Sequence, residues 1–309
     1  MFRIGTRGSA LALAQTGTVA AALEKLGVEV ELVTITTEGD TSKASLASLG
    51  GTGVFASNLR DALLDGRCDA VVHSLKDLPT ASFPELAIGA IPKREDARDA
   101  LCARDGLTLD SLPKGARVGT GSPRRKAQLL SRRPDLAVVD IRGNVDTRLG
   151  KVAASGAAEG ADLDAVILAA AGLGRLGRLE AVTDYLAIDN WPTAPGQGAL
   201  AIEVRVGEEK PVSALDHKPT RLLVEAEREV LALLEAGCSA PVGANAFVED
   251  GLLFLSARVY SLDGSSRLTS SHALYLSDVD NPGSELASRV ARELLDAGAG
   301  TLAPLGAHG

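Results

Sequence analysis

Aromatic residues are scarce in this chain, 3% of the total, so its core has to be built from Ala, Val, Leu and Ile. Cysteine is equally sparse. Cys68, Cys102 and Cys238 are far apart and odd in number, which excludes a disulfide framework and a zinc-binding spacing. Four histidines with no H-x-x-x-H pair argue against a metal centre. No apolar run reaches the length of a membrane span. The opening Met-Phe-Arg-Ile-Gly-Thr-Arg enters a strand at once without a signal-peptide core, so a cytoplasmic location is expected. Positive charge is also in deficit: 32 Lys and Arg against 40 Asp and Glu give a net charge of −8, which argues against a general nucleic-acid binder.

What remains is an ordinary globular composition, 45% apolar and 23% charged over 309 residues, enough for two or three domains. Phe2–Thr6 reads as a strand, and Ser9 caps a helix over Ala10–Leu26 that stops at Gly27. Val28–Thr37 alternates as a strand, and the Gly-rich stretch Glu38–Gly53 reads as a loop able to close over a site. A helix over Val54–Asp65 leads to a buried strand, Asp69–Val72, and Leu86–Ile91 is another strand. Pro92–Arg98 is charged and irregular, a crossing between domains.

A second unit then echoes the first. Arg117-Val118-Gly119-Thr120 repeats Arg3-Ile4-Gly5-Thr6, and each is followed by glycine, serine and a helix containing Ala-Gln. Ser122 is the expected N-cap, with Pro123 the first helical residue. Ala137–Ile141 is a strand leading through Arg142-Gly143-Asn144 into a helix reaching Val152, and Ala165–Ala170 is a buried strand. Ala194–Gly198 is a second cluster of breakers before the strand Ala199–Val204. A long amphipathic helix from Pro219 to Glu235, strands over 244–276 around an Asp263-Gly264 turn, and a helix Glu285–Asp296 suggest a small α+β domain of roughly 90 residues.

The residues suited to chemistry gather at predicted strand ends, where ligands bind in α/β folds. Ala70–Thr80 delivers His73, Ser74, Lys76 and Asp77 from a buried strand. Lys76 can bind an anion there and Asp77 can stabilise a cation. Arg7, Arg142 and Arg148 occupy similar places, and Arg124 and Arg125 sit in a first helical turn. Two arginines there oppose the helix dipole and call for an anion that neutralises both. An acidic chain that keeps six cations at its strand mouths points to a polyanionic small molecule. Cys238 follows a helix in Gly-Cys-Ser-Ala-Pro, where a helix C-terminus raises a thiol pKa, so a hydrolase nucleophile is disfavoured.

Five motifs combine: His-Ser-Leu-Lys-Asp-Leu-Pro (73–79), Gly-Thr-Gly-Ser-Pro-Arg-Arg (119–125), Arg-Gly-Asn-Val-Asp-Thr-Arg-Leu (142–149), Pro-Gly-Gln-Gly-Ala-Leu (195–200) and Gly-Cys-Ser-Ala-Pro-Val-Gly (237–243). In order and spacing the chain resembles the porphobilinogen deaminases, also called hydroxymethylbilane synthases, over essentially its whole length. The resemblance implies an α/β fold of two periplasmic-binding-protein-like domains, 1–94 with 195–215 and 98–191, plus a small C-terminal α+β domain, 218–309. It implies a monomeric transferase that adds four porphobilinogen units to a dipyrromethane cofactor, releasing ammonia each time, before hydrolysis frees the tetrapyrrole.

The cofactor's thioether anchor falls on Cys238 and the catalytic aspartate on Asp77, placed to offset the azafulvene cation left when ammonia departs. Arg7, Lys76, Arg124, Arg125, Arg142 and Arg148 correspond to carboxylate-binding positions. Ser9, Thr120, Ser122, Asn144 and Gln197 line the same cleft, and Asp40 is a further acid on the cofactor side. Thr52 and Ser57 depart from the family's loop lysines. Two rivals stand beside this reading: an anion-binding receptor of the same fold, which needs neither Cys238 nor Asp77, and a cysteine-dependent hydrolase, which needs a free thiol at Cys238.

Overall fold

The computed structural model describes residues 1–35, 53–152, 162–237 and 240–306, with the backbone alone at 53–55. The chain divides into two compact units, Met1–Glu95 with Gly198–Val224, and Asp96–Gln197 with Glu225–His308.

In the first unit, β1 (Phe2–Thr6) runs into α1 (Ala10–Lys25). Ser9 caps that helix, its Oγ accepting from the Ala12 amide at 3.3 Å. Strand β2 (Val30–Thr34) begins later than the alternation suggests. Val28 still donates to Leu23 O in the turn that closes α1, around Gly27 at φ +82°. Helix α2 (Gly53–Leu64), β3 (Ala70–Ser74) and β4 (Leu86–Ala90) follow.

The second unit opens with β5 (Asp99–Ala103), a strand not expected from the sequence, directly after the charged crossing Pro92–Arg98. Then come β6 (Arg117–Gly119), α3 (Pro123–Arg132), β7 (Ala137–Val139), α4 (Val145–Leu149), β8 (Ala165–Ala169), α5 (Ala170–Arg175) and β9 (Asp184–Leu186). Helix α4 stops at Gly150, short of the expected Val152. The chain continues through β10 (Leu200–Arg205), α6 (Lys218–Leu233), β11 (Val242–Glu249), β12 (Leu252–Tyr260), β13 (Arg267–Tyr275), α7 (Pro282–Asp296) and α8 (Ala299–Leu302).

Both five-stranded sheets share one plan. The first has the order β2-β1-β3-β10-β4 and the second β7-β6-β8-β5-β9. In each, the strand in fourth place is antiparallel to its neighbours. That strand comes from late in the chain in the first sheet and from before the other four strands in the second. The echo is real down to register: Ile4 and Gly5 of β1 pair with Ala70 and Val71, and Val118 and Gly119 of β6 pair with Ala165 and Val166. Neither glycine has room for a Cβ, which would meet Cys68 Sγ at 2.9 Å at Gly5 and Leu163 Cδ1 at 2.6 Å at Gly119. The cores are mainly aliphatic, as the scarcity of aromatics requires, with Trp191 buried in one of the second unit's clusters.

The third sheet, β11-β12-β13, is an antiparallel meander packed against α7. Asp263-Gly264 turns β12 into β13, as read from the sequence. The other hairpin turns on Asp250-Gly251, both at positive φ (49° and 78°), which is the geometry of a tight two-residue hairpin.

Candidate functional site

In the first unit β1 and β3 are parallel neighbours, so both deliver their following residues to one sheet edge. Half-buried Arg7 and the cap Ser9 follow β1. After β3 the chain makes a single 3₁₀ turn, Leu75–Asp77. Leu75 and Leu78 are buried on either side, and the Leu75 amide bonds to Ala199 O at 3.0 Å. This anchoring turns Lys76 to a half-buried position and Asp77 outward, exposed, with no ion pair among the described residues. Ser74 Oγ accepts from Gln15 Nε2 at 2.8 Å, tying α1 to the motif.

Beneath the motif lies a buried acid, Glu203 on β10. Arg60 grips it through Nη2 at 2.8 Å and Nε at 3.0 Å, and His73 Nε2 lies 3.3 Å away. Burial pushes the Glu203 carboxyl up, but the contacts with His73 and Arg60 prevail and hold it below its ordinary value.

In the second unit the strand ends carry the other predicted residues. Thr120 Oγ1 accepts from the Ser122 amide at 3.2 Å, and Ser122 Oγ caps α3. Arg124 and Arg125 in the first turn of α3 are buried, 5% and 6% exposed. The anion that such a pair requires is the chain's own Asp99, fully buried on β5. Arg124 Nη1 lies 2.9 Å from Asp99 Oδ2, and Arg125 donates to Oδ1 through Nη2 at 2.7 Å and Nε at 3.1 Å. Trp191 Nε1 donates to Oδ2 at 2.9 Å, and Gln197 Nε2 to Oδ1 at 2.8 Å. Burial alone would raise the Asp99 pKa, but Arg124 and Arg125 outweigh it and keep the carboxyl far below the usual range. The same burial draws Arg124 below its ordinary value, against the pull of Asp99.

After β7, Arg142 is exposed with no ion pair among the described residues, and Asn144 Oδ1 caps α4 by accepting from the Thr147 amide at 2.8 Å. Half-buried Arg148 donates from Nε to Gly143 O at 2.8 Å. Strands β6 and β7 are parallel neighbours, so these groups share one edge of the second sheet.

Cys238, Asp40 and Thr52 lie outside the described residues, as does the Gly-rich stretch read as a closing loop, except Gly53 at the start of α2. Ser57 is exposed on α2. The remaining two cysteines are buried, and burial raises the Cys68 thiol and pushes the Cys102 thiol up to about 12. Among the described residues no cluster of three metal-ligating side chains occurs, and no helix is long and apolar enough to cross a membrane. Sequence reasoning missed Asp99, Glu203 and Trp191. The available signal was an acid inside or heading an apolar strand, Asp-Ala-Leu-Cys-Ala and Leu-Ala-Ile-Glu-Val, where an unpaired charge is too costly to stand alone.

Comparison with known proteins agrees with the motifs. The family model "Porphobilinogen deaminase, dipyromethane cofactor binding domain" matches residues 2–213, and "Porphobilinogen deaminase, C-terminal domain" matches residues 221–296. The porphobilinogen deaminase of Leifsonia xyli subsp. xyli is 59% identical, over 98% of this chain and 94% of its own. That of Cutibacterium acnes is 51% identical, over 99% and 98%. Among solved structures, a periplasmic substrate-binding protein of an ABC transporter from Coxiella burnetii aligns at 15% identity with a TM-score of 0.41, over 74% of this chain and 96% of that one.

Proposed function

This chain belongs to the porphobilinogen deaminase family, and from that premise we propose that Asp77 is its catalytic carboxylate and Cys238 the anchor of its dipyrromethane cofactor. The enzyme joins four porphobilinogen units head to tail with loss of ammonia from each, and hydrolysis then frees hydroxymethylbilane. The bound dipyrromethane supplies the pyrrole to which the first unit is joined.

The residues fit such a group. Each pyrrole carries an acetate and a propionate, so it needs cations. Exposed Arg142 is without an ion pair among the described residues, and Arg7, Lys76 and Arg148 stand at the same kind of strand end. Arg124 and Arg125 set two positive charges against the one negative charge of Asp99, leaving one positive charge for a further carboxylate to balance. In the second unit Thr120, Ser122, Asn144 and Gln197 add hydroxyl and amide groups, Ser122 and Asn144 capping α3 and α4 and Gln197 holding Asp99. Of the three cysteines, Cys68 and Cys102 are buried with raised thiol pKa values and make poor thiolates, which leaves Cys238 for a thioether.

The observation that carries the reading is Asp77. It is an exposed carboxylate at the C-terminal edge of a parallel strand pair, held by two buried leucines, with Lys76 beside it. When ammonia leaves the substrate's aminomethyl group, positive charge develops on the pyrrole, and a fixed carboxylate lowers the energy of that charge. The same reading has the chain act as a monomer in the cytoplasm.

Intact mass and turnover test it together. Asp77→Asn retains the covalent dipyrrole and loses about 10²-fold or more in turnover, the scale for removing one preorganised electrostatic partner. Near-normal turnover would take Asp77 out of the chemistry. Cys238→Ala loses the adduct; an adduct that persists would move the anchor to another residue.

A further inference from the structure

We propose that the second unit carries a separate binding site for a small multivalent oxyanion. It is an open cleft of about 440 Å³ where α3 meets the β12–β13 hairpin. That volume lies in the range of small-molecule sites. Three arginines from three elements line it: Arg132 at the end of α3, Arg258 on β12 and Arg267 at the start of β13. None of its lining residues is among those matched to the family's site.

The charge balance around the cavity is uneven. Arg132 pairs with Asp110 at 3.0 Å. Arg258 has no carboxylate partner among the described residues; its guanidinium is fixed by main-chain oxygens, donating to Asn190 O at 3.1 Å and to Asp189 O. Neutral acceptors hold the group in place without cancelling its charge, so the fork is preorganised for an anion. Exposed Arg267 likewise has no ion pair among the described residues. In a chain of net charge −8, three arginines facing one cavity with a single acid on them leave two positive charges over. Arginine forks match phosphate and carboxylate oxygens two at a time, so the ligand class is a compact di- or trianion of either kind.

The walls are fixed. The hairpin is seated on α3 so closely that a Cβ on Gly264 would lie 2.4 Å from Ala127 O. Gln128 and Trp191, which also line the cavity, hold Arg124 and Asp99 from the other side, through Arg124 Nη1 to Gln128 Oε1 at 2.7 Å and Trp191 Nε1 to Asp99 Oδ2. An anion in the cavity therefore touches the residues that hold the buried arginine pair.

Calorimetric titration of the cofactor-loaded enzyme at low ionic strength tests the site, because the cofactor's carboxylates then occupy the family's own cations. Sodium pyrophosphate and citrate are titrated separately. At least one binds with a stoichiometry of one, and the tighter of the two assigns phosphates or carboxylates as the natural class. Arg267→Ser, at an exposed side chain with no ion pair among the described residues, lowers that affinity about tenfold or more, the scale of one charge-assisted hydrogen bond. Arg258→Met lowers it at least as far, and Arg267→Lys restores part of the loss. No saturable binding of either probe to the parent enzyme overturns the proposal, and so does unchanged affinity in Arg267→Ser, which would place the anion elsewhere.

Discussion

The two five-stranded sheets are built alike and used differently. In each, an arginine at the start of the first parallel strand, second residue of β1 and first of β6, is clamped by the aspartate that precedes the third. The Arg3 amide donates to Asp69 Oδ2 at 2.8 Å and the Arg117 amide to Asp164 Oδ2 at 2.7 Å. Each first strand runs into a serine-capped helix, at Ser9 and at Ser122. Each antiparallel strand carries one buried acid, Glu203 in the first sheet and Asp99 in the second. The partners then diverge. Glu203 faces one arginine and a histidine directly below the Lys76–Asp77 turn. Asp99 faces two arginines, an indole and an amide, and is outnumbered in charge. One frame thus supports an exposed carboxylate in the first unit and a buried surplus of positive charge in the second.

The sharpest way to break this comparison is to remove each buried acid. Asp99→Asn leaves the buried Arg124 and Arg125 unbalanced and Glu203→Gln leaves the part-buried Arg60 without its partner, and each destabilises the fold by about 3–5 kcal/mol, read from urea unfolding. If the surplus charge matters as argued, Asp99→Asn also changes the fraction of chain carrying the dipyrrole by intact mass, whereas Glu203→Gln leaves loading intact. Equal loading in both would make the Asp99 cluster a structural device alone.

Acid sharpens the same contrast. The folded-state pKa of Asp99 is depressed, so its contribution is complete above the ordinary carboxylate value of about 4 and is lost as pH falls below it. The parent enzyme loses stability as pH drops below that point, and Asp99→Asn shows a shallower loss over the same range. An identical acid limb in both would mean that other carboxylates set it. The smallest effect tests the shared frame. Ser9→Ala and Ser122→Ala cost about 1 kcal/mol each by thermal unfolding, and a large gap between them would show that the two helix starts are not equivalent.

Much of the fold was legible because it is local. Ser9 and Ser122 announce helix starts, Gly27 a helix end, and the echo around Gly5 and Gly119 a repeated strand whose close packing admits no side chain. Short or buried pieces were less legible. Strand β5 hid behind the charged crossing before it, and the Asp250-Gly251 turn between two strands that read as one stretch. The strand-end residues Arg7, Lys76, Asp77 and Arg142 were visible as charges following apolar runs, whereas the fate of Arg124 and Arg125 was not.

By itself the sequence determined most of the elements and the family, because caps, turns and motifs act over a few residues and leave their mark there. Only the tertiary structure decided which charges are already balanced. Asp99 meets Arg125 across 26 positions and Trp191 across 92. Those meetings depend on β5 lying antiparallel beside β8, a long-range pairing set by the burial of two sheet faces and by no residue pattern near Asp99.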